Sequence, residues 1–138
     1  MNFFFDRCLS RRLARMAAAL EDGVHTILHL DDDERFTTTT RDTEWLATLG
    51  GDNPPWIVVT GDTHILTKTV ERNALSRANL MFFVMSHSWC KLPIDEQVWK
   101  FFKVWPDILK AARTETPTIF EVGGRNPLKV SRLERSRP

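Results

Sequence analysis

Residues 3–6 read FFFD, and residues 56–62 read WIVVTGD. Each apolar run is typical of a strand buried on both faces of a parallel sheet, and each is followed by an acid, Asp6 or Asp62. Ligands bind at the carboxyl edge of such sheets. If the two strands are neighbours, two carboxylates meet there and need a proton or a cation between them. The pattern therefore predicts a hard divalent metal at this edge.

Predicted strands and helices alternate along the rest of the chain. The remaining strands are predicted at residues 24–30, 80–85 and 118–122, the last of them at a sheet edge. Helices are predicted at residues 11–21, 42–49 and 69–78 and from Pro93 onward, and Pro106 must kink or split the last helix. This alternation predicts a single α/β domain with three α/β/α layers around a mainly parallel central sheet.

Length and composition fit a soluble cytoplasmic protein. The 138 residues suit one domain. No apolar run approaches the roughly 20 residues that span a bilayer, and the N-terminus lacks a signal-peptide pattern, so no membrane partner is expected. Only two cysteines are present, Cys8 and Cys90. They are far apart in sequence and fit reduced thiols in a reducing compartment.

Charge is divided unevenly between the body and the C-terminal end. Residues 123–138 carry five basic residues and one acid, whereas residues 1–122 carry a net charge of −3. Gly123-Gly124 and Pro127 favour a flexible tail, which gives a domain at 1–122 and a basic tail at 123–138. Such a tail either solubilises the protein or contacts a polyanion.

A third carboxylate is expected from the helix that follows the second strand. Glu44 lies in its first turn and can project toward the edge that carries Asp6 and Asp62. Asp42 is an equal candidate, although it can simply cap the helix. Asp31 directly follows the second strand and is a weaker candidate within an acidic run that is expected to be solvated.

Other polar residues give weaker signals. His25 and His29 are four apart, which favours structural packing over a metal site. His64, two residues after Asp62, is a better site candidate. Cationic side chains are available to position phosphates, each more often a solvated surface residue: Arg7, Arg11, Arg12, Lys68 and Arg72. No acid–base partner spacing supports a Ser or Cys nucleophile in residues 86–90.

The ordered motifs resemble the PIN-like ribonucleases, and most closely the VapC-type toxins of bacterial toxin–antitoxin pairs. The matching segments are FFD at 4–6, DTEWL at 42–46, VTGD at 59–62, HSWCKLP at 87–93 and the aromatic helix at 99–105. The resemblance covers residues 1–122.

The resemblance implies a Mg²⁺- or Mn²⁺-dependent endoribonuclease that hydrolyses RNA phosphodiesters. It assigns metal binding and catalysis to Asp6 and Asp62, and to Glu44 or Asp42. It also implies a cognate antitoxin, commonly a DNA-binding protein, that inhibits the toxin and can oligomerise with it. His64 stands where PIN nucleases commonly have a further Asp, which reduces the carboxylate count.

Two other function classes are consistent with parts of the pattern. A phospho-signalling receiver also places acids after strands 1 and 3, but Arg7 stands where it needs a second acid. A non-catalytic PIN-like subunit would use its aromatic helix mainly to bind a partner. At least two of the three residues Trp89, Trp99 and Trp105 are expected to pack in the core.

Overall fold

A computed structural model describes residues 1–62, 80–86, 89–114, 119–123 and 130–132. Six strands form one sheet in this part of the chain. They are β1 (Asn2–Phe5), β2 (Thr26–His29), β3 (Trp56–Thr60), β4 (Met81–Met85), β5 (Ile119–Val122) and β6 (Val130–Arg132). Their order is β2-β1-β3-β4-β5-β6, and only the β5–β6 pair is antiparallel.

The strand order places a crevice between the first and third strands. From β1, the chain adds β2 on one side and β3 on the other, so the order reverses between β1 and β3. Phe5 pairs with Val59 at the ends of these two strands. Ligands bind at this kind of switch point in open α/β sheets. Asp6 and Asp62, which follow the two strands, therefore lie where the fold favours a site.

Three helices accompany the described part of the sheet. They are α1 (Arg11–Leu20), α2 (Asp42–Gly50) and α3 (Ile94–Thr114). Ser10 caps α1, since its hydroxyl accepts from the Arg12 amide at 3.1 Å. Pro106 lies inside α3, which continues past it to Thr114 and is not split. The expected helix at 69–78 lies outside the described residues.

Alternate residues of each strand enter two separate cores. Phe3 and Phe5 pack with α1 and α3 on one face of the sheet. Phe4 packs against Trp45 and Leu46 of α2 on the other face. Burial on both faces explains why the strands are continuous apolar runs. The arrangement confirms the predicted three-layer α/β domain with a mainly parallel sheet.

The sheet extends one strand beyond the sequence-based expectation. The strand predicted at 118–122 is β5, and it is not at the edge because β6 pairs with it. Val130 of β6 is half-buried against the larger core. It is the only apolar residue of this three-residue strand, which is too short to show a hydrophobic period. In the aromatic set, Trp89 and Trp105 are buried and Trp99 is exposed, as expected. Among the described residues, no helix is long and apolar enough to cross a membrane.

Candidate metal centre

Asp6 is a buried carboxylate held by three donors. Its Oδ1 accepts from the backbone amides of Cys8 at 3.1 Å and Gly61 at 3.4 Å. Its Oδ2 accepts a hydrogen bond from the Thr60 hydroxyl. The Cys8 contact closes the turn after β1, so Asp6 does shape the loop as a turn residue. The other two donors come from the end of β3, which fixes the carboxylate at the switch point.

Thr60 joins the two acids. Its hydroxyl donates to Asp6 and accepts from the backbone amide of Asp62 at 3.0 Å. Thr60 itself is fully buried, whereas Asp62 is half-buried at the crevice. One hydroxyl thus orients the Asp6 carboxylate and the backbone that carries Asp62. Thr60 was not among the predicted site residues, although a polar residue at the end of an apolar strand, two positions before Asp62, was a usable signal.

Burial strongly perturbs Asp6. Loss of solvation raises the pKa of Asp6 from 3.8 to about 7, against the opposing effect of its three hydrogen bonds. The negative charge of Asp62 contributes to the raised pKa of Asp6 in the same direction as burial, by a smaller amount. A carboxylate that is buried beside a second acid is stabilised by a proton or by a cation. The site therefore favours a bound positive charge near neutral pH.

The loop after β1 is anchored to the end of β2. The buried His29 ring accepts from the Asp31 amide through Nδ1 at 3.0 Å, so Nε2 carries the proton and donates to the Leu9 carbonyl at 2.9 Å. Arg7 donates to Asp31 Oδ1 at 2.7 Å and to the Thr37 carbonyl at 2.6 Å. The buried His29–Leu9 bond ties the loop that presents Asp6 to β2, whereas the Arg7–Asp31 pair is exposed. The bonds of the buried ring also confirm a structural role for His29.

The acidic run after β2 is neutralised by arginines and is not simply solvated. Asp31 pairs with Arg7, as above. Asp32 accepts from Arg15 at 2.9 Å and from Arg11, and these bonds lower the pKa of Asp32 to about 2. The arginines come from α1 and its preceding loop, so sequence distance concealed the pairs. Asp31 is thereby engaged with a cation of the protein itself.

The third acid of the run is buried, unlike its two neighbours. The Asp33 carboxylate accepts from the Arg35 guanidinium at 2.8 Å, and Arg35 also contacts Asp52 at 3.0 Å. Asp33 is 8% exposed. Hydrogen bonds from Arg35 lower the pKa of Asp33 even though burial opposes the shift. Arg35, oriented by Asp33, therefore links the polar loop to Asp52 in the segment before β3.

Two thiols cover the backbone between Thr60 and Asp62. A Cβ added to Gly61 would lie 2.5 Å from Cys90 Sγ and 3.0 Å from Cys8 Cβ, so only glycine fits without a shift. Cys90 Sγ donates to the Gly61 carbonyl at 3.2 Å. The two thiols are also close enough to affect each other's pKa. Burial is the largest cause that raises the pKa of Cys8 and Cys90.

Asp42 and Glu44 both lie in the first turn of α2. Asp42 is not the N-cap, because Arg41 occupies that position without a side-chain bond to the helix. The Asp42 carboxylate instead accepts from the Trp45 indole at 2.9 Å. Glu44 is exposed. Their roles as metal ligands stay predictions.

The described residues bring two acids together but no larger ligand set. Within residues 1–62, 80–86, 89–114, 119–123 and 130–132, no group of three or more His, Cys, Asp or Glu side chains could hold a metal ion. The candidates His64, Lys68 and Arg72 lie outside the described residues. Asp6 and Asp62 still fit a hard cation, since Mg²⁺ is commonly bound by one or two carboxylates and completed by water and phosphate oxygens.

Comparison with known proteins supports the fold assignment. The family model described as a PIN like domain matches residues 1–87, which is more than half of the chain and includes both Asp6 and Asp62. No curated protein and no solved structure gave a significant match.

Proposed function

The chain belongs to the PIN-like domain family, and from this premise we propose that it is a metal-dependent endoribonuclease that hydrolyses RNA phosphodiesters. PIN-like domains are generally nucleases. We further propose that it acts as the toxin of a type II toxin–antitoxin pair. The motif order, from FFD at 4–6 through VTGD at 59–62 to the aromatic helix, supports this narrower role.

One observation carries the proposal: a buried Asp6, beside Asp62, is held at the carboxyl ends of two neighbouring parallel strands. Asp6 is fixed by the Thr60 hydroxyl and two backbone amides, whereas Asp31 and Asp32 pair with arginines. None of the three donors to Asp6 is charged, so a bound cation would favour its ionised form. Oxygen ligands of this kind suit Mg²⁺ or Mn²⁺.

Mg²⁺ or Mn²⁺ bound by Asp6 and Asp62 would lower the pKa of a water and neutralise charge that develops on the phosphate. The chain's own part is positioning. Thr60 and the amides of Cys8 and Gly61 fix the orientation of Asp6, so no reorganisation is needed when a cation arrives. Asp6 must be ionised to serve as a ligand, so its proton leaves when the cation binds.

Arginines near the crevice are suited to hold the RNA backbone. Arg7 and Arg11 are exposed and already paired with Asp31 and Asp32. Exposed ion pairs contribute little to stability, so a phosphate can replace the carboxylate partner at small cost. The guanidinium fork matches phosphate oxygens in the same way as carboxylate oxygens. Arg12 is exposed on the same helix and adds a third candidate.

Two substitutions in α2 can identify the third acidic ligand of the proposed metal site. Asp42→Asn keeps an oxygen that can accept from the Trp45 indole, so the fold should be preserved. Glu44→Gln changes an exposed side chain and should also be tolerated. Under the proposal, one of the two variants loses metal-dependent cleavage while both keep wild-type thermal unfolding. Full activity in both would remove α2 from the catalytic assignment.

The direct test is cleavage of a structured RNA mixture by the purified chain in Mg²⁺ or Mn²⁺ against EDTA. We expect metal-dependent internal cleavage that is lost in Asp6→Asn and Asp62→Asn. Asp31→Asn is the matched control, because it changes a nearby acid that pairs with Arg7. Undiminished cleavage by Asp6→Asn, with the variant folded, would disprove the assignment.

A second candidate is a PIN-like subunit that binds a partner without cleaving RNA. The observation that favours it is the pair of acids without a third within the described residues. Trp99, 54% exposed on α3, offers an apolar contact for an antitoxin. Co-expression with a neighbouring DNA-binding protein separates the two candidates. A complex whose freed chain never cleaves RNA supports the silent subunit, whereas cleavage that the partner suppresses supports the toxin.

A further inference from the structure

We propose that Cys8 and Cys90 form a reversible disulfide that controls the position of the Gly61–Asp62 backbone. The cysteines lie on different loops, one after β1 and one in the turn Trp89–Lys91 after β4. Yet Cys90 Sγ and Cys8 Cβ both lie within 3.0 Å of the point where a Cβ on Gly61 would stand. The two side chains therefore contact the same short piece of backbone, which is the proximity that a disulfide requires before side-chain rotation brings the Cβ atoms to about 3.5–4.5 Å.

The two thiols differ in access, which sets the order of the chemistry. Cys90 is exposed and Cys8 is half-buried. A peroxide oxidises the Cys90 thiol to a sulfenic acid and is itself reduced to water or an alcohol. The Cys8 sulfur then attacks the Cys90 sulfur, the S–S bond forms, and water leaves with the Cys8 proton. Two thiols and one peroxide thus give one disulfide, and a dithiol reductant reverses the reaction.

Oxidation would act on the site through Gly61. In the reduced protein, Cys90 Sγ donates to the Gly61 carbonyl, and a disulfide removes that donor. The new bond also draws Cys90 Sγ toward Cys8, whose backbone amide holds Asp6 Oδ1. Gly61 donates to the same oxygen and precedes Asp62, so both acids depend on the segment that the thiols cover. Disulfides in reducing compartments are usually transient or redox-sensing, which fits such a role.

The chain offers an unambiguous assay, because it has only two cysteines. The reduced chain is treated with hydrogen peroxide for hours, since burial keeps both thiols protonated, and the remaining thiols are then alkylated. We expect a monomer that has lost two hydrogen atoms, resists alkylation and recovers both thiols in dithiothreitol. Cys8→Ser and Cys90→Ser cannot give this species. A monomer with two alkylated thiols, or only sulfinic acids and covalent dimers, would overturn the proposal.

The effect on the site is read separately from activity. Oxidation should change the amide resonances of Gly61 and Asp62 in the metal-free chain, and unchanged resonances in a confirmed disulfide would refute the coupling. The consequence for cleavage rests on the proposed function: we expect oxidation to reduce cleavage at least about tenfold, and reduction to restore it. Peroxide should leave the activity of Cys90→Ser at its untreated level. If the reduced chain never cleaves RNA, the nuclease assignment is refuted. The disulfide proposal can still be tested in that case, because its formation is measured by mass.

Discussion

Replacing Asp6 by Asn should change how stability depends on pH. In the metal-free protein, burial raises the pKa of Asp6 from 3.8 to about 7. Between these two values the folded state binds a proton that the unfolded chain releases. The resulting stabilisation is complete below pH 3.8 and is lost as pH rises through 7. Wild-type protein should therefore become less stable on going from acid to neutral pH because of this one group.

The size of the effect follows from the shift. Each pKa unit corresponds to about 1.4 kcal/mol, so the free energy of unfolding should fall by roughly 2–3 kcal/mol between pH 5 and pH 8. Asp6→Asn removes the titrating group and keeps an oxygen for the two backbone amides. The difference in unfolding free energy between the two proteins should change by about that amount over the same interval, because most other titrating groups are common to both proteins and cancel.

Urea denaturation in EDTA at pH 5, 6, 7 and 8 measures this difference. Asp31→Asn serves as the control, since Asp31 is exposed and ion-paired. The pH profile of Asp31→Asn should stay parallel to that of the wild type. Added Mn²⁺ at pH 8 should recover much of the lost stability in the wild type and little in Asp6→Asn. Parallel pH profiles for wild type and Asp6→Asn would refute the reasoning.

Three further comparisons of variants test the supports of the site and of its neighbouring loop. Thr60→Val should cost roughly 1–3 kcal/mol and abolish cleavage, because it removes a buried hydroxyl that bonds twice, and Thr60→Ser should restore both stability and activity. Gly61→Ala should destabilise by about 1–3 kcal/mol, and adding Cys90→Ala should recover part of the loss in a double-mutant cycle, because the new Cβ would lie against Cys90 Sγ. Asp33→Ala should cost roughly 1–3 kcal/mol by denaturation, whereas Asp31→Ala should stay within about 0.5 kcal/mol, because only the first is buried. Equal losses in that last pair would contradict the burial argument.

The sequence was sufficient for the sheet and for the position of the acids. Apolar runs ended by Asp6 and Asp62 predicted two buried parallel strands, and the structure pairs them directly. This worked because burial on both faces leaves a strong, local compositional signal. Short secondary-structure elements gave only weak signals in the sequence. Val130–Arg132 is too brief to show a period, and its strand is stabilised by pairing with β5.

The supports of the site could not be predicted, because they depend on contacts between distant segments. Cys8 and Cys90 were interpreted as separate reduced thiols, yet they meet over Gly61. The acidic run was expected to be solvated, but arginines from α1 and its preceding loop pair with Asp31 and Asp32. Such pairs depend on which loops the topology brings to the same edge of the sheet. The composition of a single loop does not indicate them.

The central claim is that Asp6 and Asp62 together hold a divalent cation. Titration of the metal-free chain with Mn²⁺ at pH 8, followed by the electron paramagnetic resonance signal of free Mn²⁺, tests it most directly. We predict that the wild type and Asp31→Asn bind Mn²⁺ alike and that Asp6→Asn binds at least about tenfold more weakly, a loss of roughly 1.4 kcal/mol or more. Equal Mn²⁺ affinity in wild type and a folded Asp6→Asn would contradict the account.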